Sequence, residues 1–187
     1  VDAFGYLSVP LSIIIGLGLT QVLSACGRLI RHRERVRVYW PPLLWAGLLI
    51  LIYVQSWWSS FGLRSYANWT FFGFFIVLLE TVTLYMMAAV VLPVQLDEAV
   101  VDLRTYYARQ SRWLFGFFLA TLCVSVLKDV VLSGQFPLGL NLAFHLFFGA
   151  VSVTGLLARR PRYHEVLAVV SAVALVAYIA LLFARLQ

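Results

Sequence analysis

The chain has 187 residues, 63% of them hydrophobic and 12% charged, with a formal net charge of +6 and a mean hydropathy of +0.92. A water-soluble fold of this length needs far more polar surface, so the composition excludes one and points to the bilayer as solvent. With no stacking module or basic soluble face, the positive charge reports topology and anionic lipid rather than a nucleic-acid partner.

A membrane-spanning helix needs roughly 20 mostly apolar residues. Six stretches qualify, at about 4–27, 40–60, 69–92, 113–133, 137–158 and 164–184. Their long unbroken runs predict helices, because barrel strands would alternate over about 10 residues. The spans use most of the chain and leave no room for a separate soluble domain. The expected fold is an all-α integral membrane protein, one six-helix bundle covering residues 1–187.

The first span contains SVPLSIIIGLGLTQVLSACGR, with a small or polar residue at every fourth place from Ser8. A four-residue step turns about 40° on a helix, so the stripe winds and does not line a single axis. Its Gly16, Thr20 and Ser24 part predicts close packing on a neighbouring helix. LSAC at 23–26 looks like a lipoprotein cleavage site. The start Val1-Asp2-Ala3 is not basic, however, and five arginines follow Cys26, so the span is expected to be retained. Pro10 is expected to bend it near one end.

The first loop carries Arg28, Arg31, Arg33, Arg35 and Arg37, a hook suited to anionic lipid headgroups at about 1 kcal/mol per residue near the surface. Loops three and five add Arg104, Arg109, Arg112, Arg159, Arg160 and Arg162, against Arg64, Lys128 and Arg185 on the other side. This asymmetry predicts cytoplasmic odd loops and both termini outside. Trp57, Trp58, Tyr66 and Trp69 then mark the outer interface, and Tyr39, Trp40, Tyr107, Trp113 and Tyr163 the inner one. Thirteen Arg to one Lys is the usage of a high-GC bacterial genome, so the expected location is a bacterial inner membrane.

Pro41-Pro42 open the second span, where a missing N–H costs little, and Gln55 lies within it. Asn68-Trp69-Thr70 matches a glycosylation sequon, set aside because it lies where the third span enters the bilayer. Glu80 sits in the middle of that span, in FFIVLLETVTLYMM, with Thr83 one turn on. A carboxylate at that depth is costly and marks a functional candidate.

Between Pro93 and Arg112, Leu96, Ala99, Val100, Leu103, Tyr106 and Tyr107 recur at helical spacing, with Asp97, Glu98, Asp102 and Arg109 elsewhere. The pattern predicts a short amphipathic helix lying at the interface between spans three and four. Its three carboxylates read as a solvated face.

The fourth span carries Thr121, Ser125 and Asp129 at four-residue spacing, with Lys128 near the outer end and expected to snorkel. Cys26 and Cys123 are isolated at membrane depth and suggest neither disulfide nor metal site. Asn141, His145, Gly149, Ser152 and Gly155 form a polar and small face on the fifth span, of the kind that points into a bundle. His145 lies at a depth that lets it meet Glu80 if their helices are neighbours. In the sixth span Ala168 with Ala172, and Ala180 with Ala184, are small-xxx-small pairs that suit an internal contact or, the favoured reading, a homo-oligomer contact.

No motif for a cofactor, metal or catalytic site appears. His32 and His164 sit at the membrane boundary, where they do not complete a bis-histidine haem site with His145. A phosphate loop, a Ser-His-Asp set, a zincin motif, a selectivity filter and a voltage-sensing helix are all absent. The leading expectation is a conduit, channel or small transporter, for protons or small cations. Its pathway would run through Gln55, Glu80, Thr83, Lys128, Asp129, Asn141 and His145, with Glu80 as gate and His145 as its partner. The alternatives are an accessory or sensory module that binds a partner through its cytoplasmic loops, and a membrane-embedded enzyme or haem carrier. In either, the same polar residues would serve as interhelical glue.

Overall fold

The computed structural model describes residues 3–66, 68–95 and 100–182. Six long helices dominate: α1 (Ala3–Arg31), α2 (Trp40–Ser60), α3 (Phe71–Val91), α4 (Leu103–Ser133), α5 (Gly139–Leu157) and α6 (Pro161–Leu182). Each is long and apolar enough to cross a membrane. The α1–α2, α3–α4 and α5–α6 connections gather at one end, here called the basic end, and the other two connections at the far end. α3 packs on α1 and α4, α4 on α5, and α2 on α1, α3 and α6.

Two strands of two residues each, β1 (Val36–Arg37) and β2 (Val101–Asp102), pair in parallel, with Val36 opposite Val101 and Arg37 opposite Asp102. They tie the first and third loops together at the basic end. Nothing in the sequence announces so short a ladder.

Local chemistry sets the helix ends. Pro41 and Pro42 occupy the first turn of α2, where their missing N–H groups have no intrahelical partner to lose. Thr70 Oγ1 accepts the Gly73 N–H at 3.0 Å and caps α3. Asp102 caps α4, accepting the Arg104 N–H at 3.2 Å and the Thr105 hydroxyl at 2.6 Å. α4 stops at Gly134, whose φ of 70° costs a glycine little and aims its N–H at Val130 O.

The Asp102 cap corrects the start of the expected span 113–133. Residues 103–112 are the first turns of α4, not a separate interfacial helix. No Pro or Gly interrupts the run before Gly116, and Leu103, Tyr107 and Leu114 are buried against the bundle. Asp97, Glu98, Leu96 and Ala99 lie outside the described residues.

α1 also differs from expectation. Its buried face is Leu11, Ile15, Gly18, Val22, Ala25 and Leu29, alternating four- and three-residue steps as a single packing seam does. Gly16, Thr20 and Ser24 are exposed in the protomer. The larger aliphatic side chains bury more apolar surface per turn and win the interior face. Gly18, not Gly16, marks the close approach: a Cβ there would overlap the phenol ring of Tyr53 on α2.

On α6, Ala168 is buried and Ala172 half-buried, beside His164, Leu167, Ser171 and Leu175. This pair therefore serves a contact inside the protomer. Ala180 is exposed, and Ala184 lies outside the described residues.

Most of the buried side chains lie in the half of the bundle nearer the basic end. Trp45 stands edge-on to Phe115 and Phe118, with ring centroids 5.3 and 5.9 Å away. Leu49, Met87 and Leu114 are buried in the same core cluster. Phe115 lies over Gly155, where a Cβ would come within 2.7 Å of its ring. Large apolar side chains fill this layer, as close-packed protein interiors require.

Candidate functional site

Above that layer, toward the far end, a cavity of about 190 Å³ opens among five of the six helices. α2 contributes Gln55, Ser56 and Ser59, and α3 contributes Glu80. α4 adds Thr121, Ser125, Lys128 and Asp129, α5 adds Asn141 and His145, and α6 adds Tyr178. Leu84, Phe118 and Leu122 form the apolar part of the wall. Ser59 is solvent-exposed and marks the mouth.

Six residues singled out by depth and polarity share this one cavity: Gln55, Glu80, Lys128, Asp129, Asn141 and His145. Thr83 is not on its surface. Its hydroxyl donates to Glu80 O at 2.8 Å and lies 3.0 Å from the Thr121 hydroxyl, linking α3 to α4 behind the wall.

The partner of Glu80 is Lys128. Nζ lies 2.8 Å from Oε2 and 3.0 Å from Oε1, with the two side chains only 19% and 14% exposed. This replaces two expectations. Lys128 does not snorkel to the interface, and Glu80 is not hydrogen-bonded to His145. A buried carboxylate is stabilised most by a full countercharge with donors that reach both its oxygens. α4 packs directly on α3, so the four-carbon stem of Lys128 can supply one.

His145 is held from within its own helix, with Nδ1 2.8 Å from Asn141 O. A carbonyl only accepts, so Nδ1 carries the proton and Nε2 of the neutral ring is a bare lone pair. That Nε2 is buried and has no hydrogen-bond partner among the described residues. The Asn141 side chain donates to Asp129 Oδ2 across a long 3.5 Å and accepts from the Tyr178 hydroxyl at 3.3 Å. The Tyr178 ring also packs on Phe144, with centroids 4.0 Å apart.

The wall thus carries two carboxylates and one ammonium. Among the described residues, Lys128–Glu80 is the only ion pair, which leaves Asp129 with an amide and no salt-bridge partner. Tyr178 was missed in the sequence, because a single tyrosine in an aliphatic span reads as packing. Ser56 and Ser59 were missed because they sit among interfacial tryptophans.

The basic end is built differently. The Tyr107 hydroxyl lies 3.2 Å from His164 Nδ1, and His164 Nε2 lies 3.0 Å from Ala158 O. The carbonyl again fixes the ring, so Nε2 donates and Nδ1 accepts the tyrosine proton. The Tyr39 hydroxyl donates to Glu165 Oε1 at 3.3 Å, and burial, with the Glu165 charge second, pushes its pKa up to about 12. Arg31, Arg33, Arg35 and Arg37 are exposed. Arg28 is half-buried, with Nε and Nη2 lacking hydrogen-bond partners.

No protein-family model, curated protein or solved structure matches the chain.

Proposed function

We propose that the chain is an integral membrane transport protein that takes protons or small cations into the far-end cavity. The reading rests on one observation: a largely buried cavity with more carboxylates than cations, whose wall holds an unpartnered imidazole nitrogen. Asp129 and His145 would receive the incoming charge, and the Glu80–Lys128 pair would respond to it by loosening or exchanging partners. The apolar layer of Trp45, Phe115 and Phe118 favours a gated carrier over an open pore through the protomer.

The arginine distribution supports placing the basic end in the cytoplasm and the cavity mouth outside, as in a bacterial inner membrane. Exposed Arg31, Arg33, Arg35 and Arg37 would then face anionic headgroups. A homo-oligomer is part of the same proposal, through faces left apolar and exposed in the protomer, such as Val169, Val173 and Val176 on α6.

The test is flux into proteoliposomes holding a pH indicator or a sodium- or potassium-sensitive dye. Uptake by the parent that drops in both Asp129→Asn and Glu80→Gln supports the reading. A parent that moves no proton, sodium or potassium under an imposed potential at any pH overturns it.

A further inference from the structure

A second cavity, of about 610 Å³, opens at the basic end where the start of α4 meets the α5–α6 junction. Arg104, Arg109 and Arg112 from α4 line it together with Arg159 from the junction. None of the four guanidiniums makes an ion pair among the described residues. The nearest aromatic support is Tyr39, whose ring lies 6.0 Å from the Arg104 guanidinium carbon.

The floor is polar and closed. Tyr107, Ser111 and His164 line the cavity and are 4%, 6% and 5% exposed. Through the Tyr107–His164–Ala158 chain of hydrogen bonds, that floor is fixed before any ligand arrives. α6 begins at Pro161, also on the wall, and directs the positive end of its dipole there.

Arginines that only orient a chain in a membrane have no need to converge. Here four unneutralised guanidiniums from two separate stretches surround one concavity, and their mutual repulsion falls when a dianion enters. Guanidinium forks match the oxygens of phosphate two at a time. We propose that this cavity binds a phosphate monoester dianion, carried by a lipid headgroup or by a small soluble phosphate. The site is separate from the far-end cavity and does not depend on what that cavity transports.

The test is calorimetric titration of the purified full chain in neutral detergent at fixed salt. The ligands are inorganic phosphate, short-chain phosphatidic acid and short-chain phosphatidylcholine. The expected result is saturable binding of at least one of the first two and none of the third. Arg112→Gln with Arg159→Gln should weaken it at least about ten-fold, while Arg64→Gln, at an exposed far-end position, changes it less than about two-fold.

Binding of both phosphates identifies the phosphate group itself as the ligand, and binding of one alone assigns the lipid or the soluble source. No saturable binding of either overturns the proposal, as does an equal loss in the Arg64 variant. Arg112→Lys with Arg159→Lys keeps the charge and removes the fork. Its intermediate affinity carries the test should the glutamine variant fail to fold.

Discussion

Lys128 Nζ reaches both carboxylate oxygens of Glu80, at 2.8 and 3.0 Å, and so joins α4 to α3 by a two-pronged ion pair inside the bundle. Removing either partner leaves the other largely buried charge without its countercharge. Lys128→Met should lower stability by about 3–5 kcal/mol, because it strands the carboxylate, and Glu80→Gln should act in the same direction. The double variant should recover most of that loss. Unfolding midpoints in mixed detergent supply the cycle, and simple additivity would mean that the pair is not coupled in solution.

Asp129 is the second carboxylate of the cavity and makes no ion pair among the described residues. On the transport reading, Asp129→Asn should raise the cation concentration for half-maximal uptake by about ten-fold or more. His145→Phe should also reduce uptake while keeping the ring packed on Phe144. Initial rates over a cation series check both, and an unchanged half-saturation point in Asp129→Asn would remove that residue from the pathway.

Gly18→Ala should destabilise the bundle by about 1–3 kcal/mol, since the added methyl meets the Tyr53 ring. Gly16→Ala, with open space around it, should change stability by less than about 0.5 kcal/mol. Melting temperatures of the two variants decide it. A larger effect at Gly16 would mean that the exposed small-residue stripe carries a contact of its own.

The cap at Asp102 is pH-sensitive. The Thr105 hydroxyl, then the backbone N–H groups of Arg104 and Thr105 and the Arg37 charge, hold its carboxyl below its ordinary value of 3.8. The unfolded chain therefore takes up this proton at a higher pH than the folded one. The stabilisation is fully present above about pH 4 and is lost as the pH falls through the folded value. Asp102→Ala should be less stable at neutral pH and lose this acid limb, whereas Asp102→Asn should keep the cap without the pH dependence. Melting curves between about pH 2 and 6 distinguish the three proteins.

Much of this architecture is legible in the sequence, for a physical reason. Length and hydropathy alone identify a helix able to cross a bilayer, so six such helices and the approximate limits of α2 and α3 could be read directly. The common depth of Glu80, Asp129, Asn141 and His145 followed from counting residues along those helices.

What could not be read was which helix faces which. Pairing depends on rotation about each axis, so Lys128 looked like an interfacial lysine until α3 and α4 were seen side by side. Rotation also misled at α1, where Gly16, Thr20 and Ser24 looked like a seam but point away from the interior. α4 was underestimated because its first turns are polar and its start is set by a single capping carboxylate.

The parallel ladder between Val36–Arg37 and Val101–Asp102 has a consequence for the order of assembly. Its two halves flank α2 and α3, so the first strand is synthesised two whole helices before its partner exists. The opening hairpin therefore waits with an unmatched edge until the chain has crossed back to the side it left. Parallel pairing over such a separation is slow to form. When it does form, it clamps the α1–α2 and α3–α4 turns together at one rim. The starts of α2 and α4, two helices that border the far-end cavity, are then tethered at the end away from its mouth.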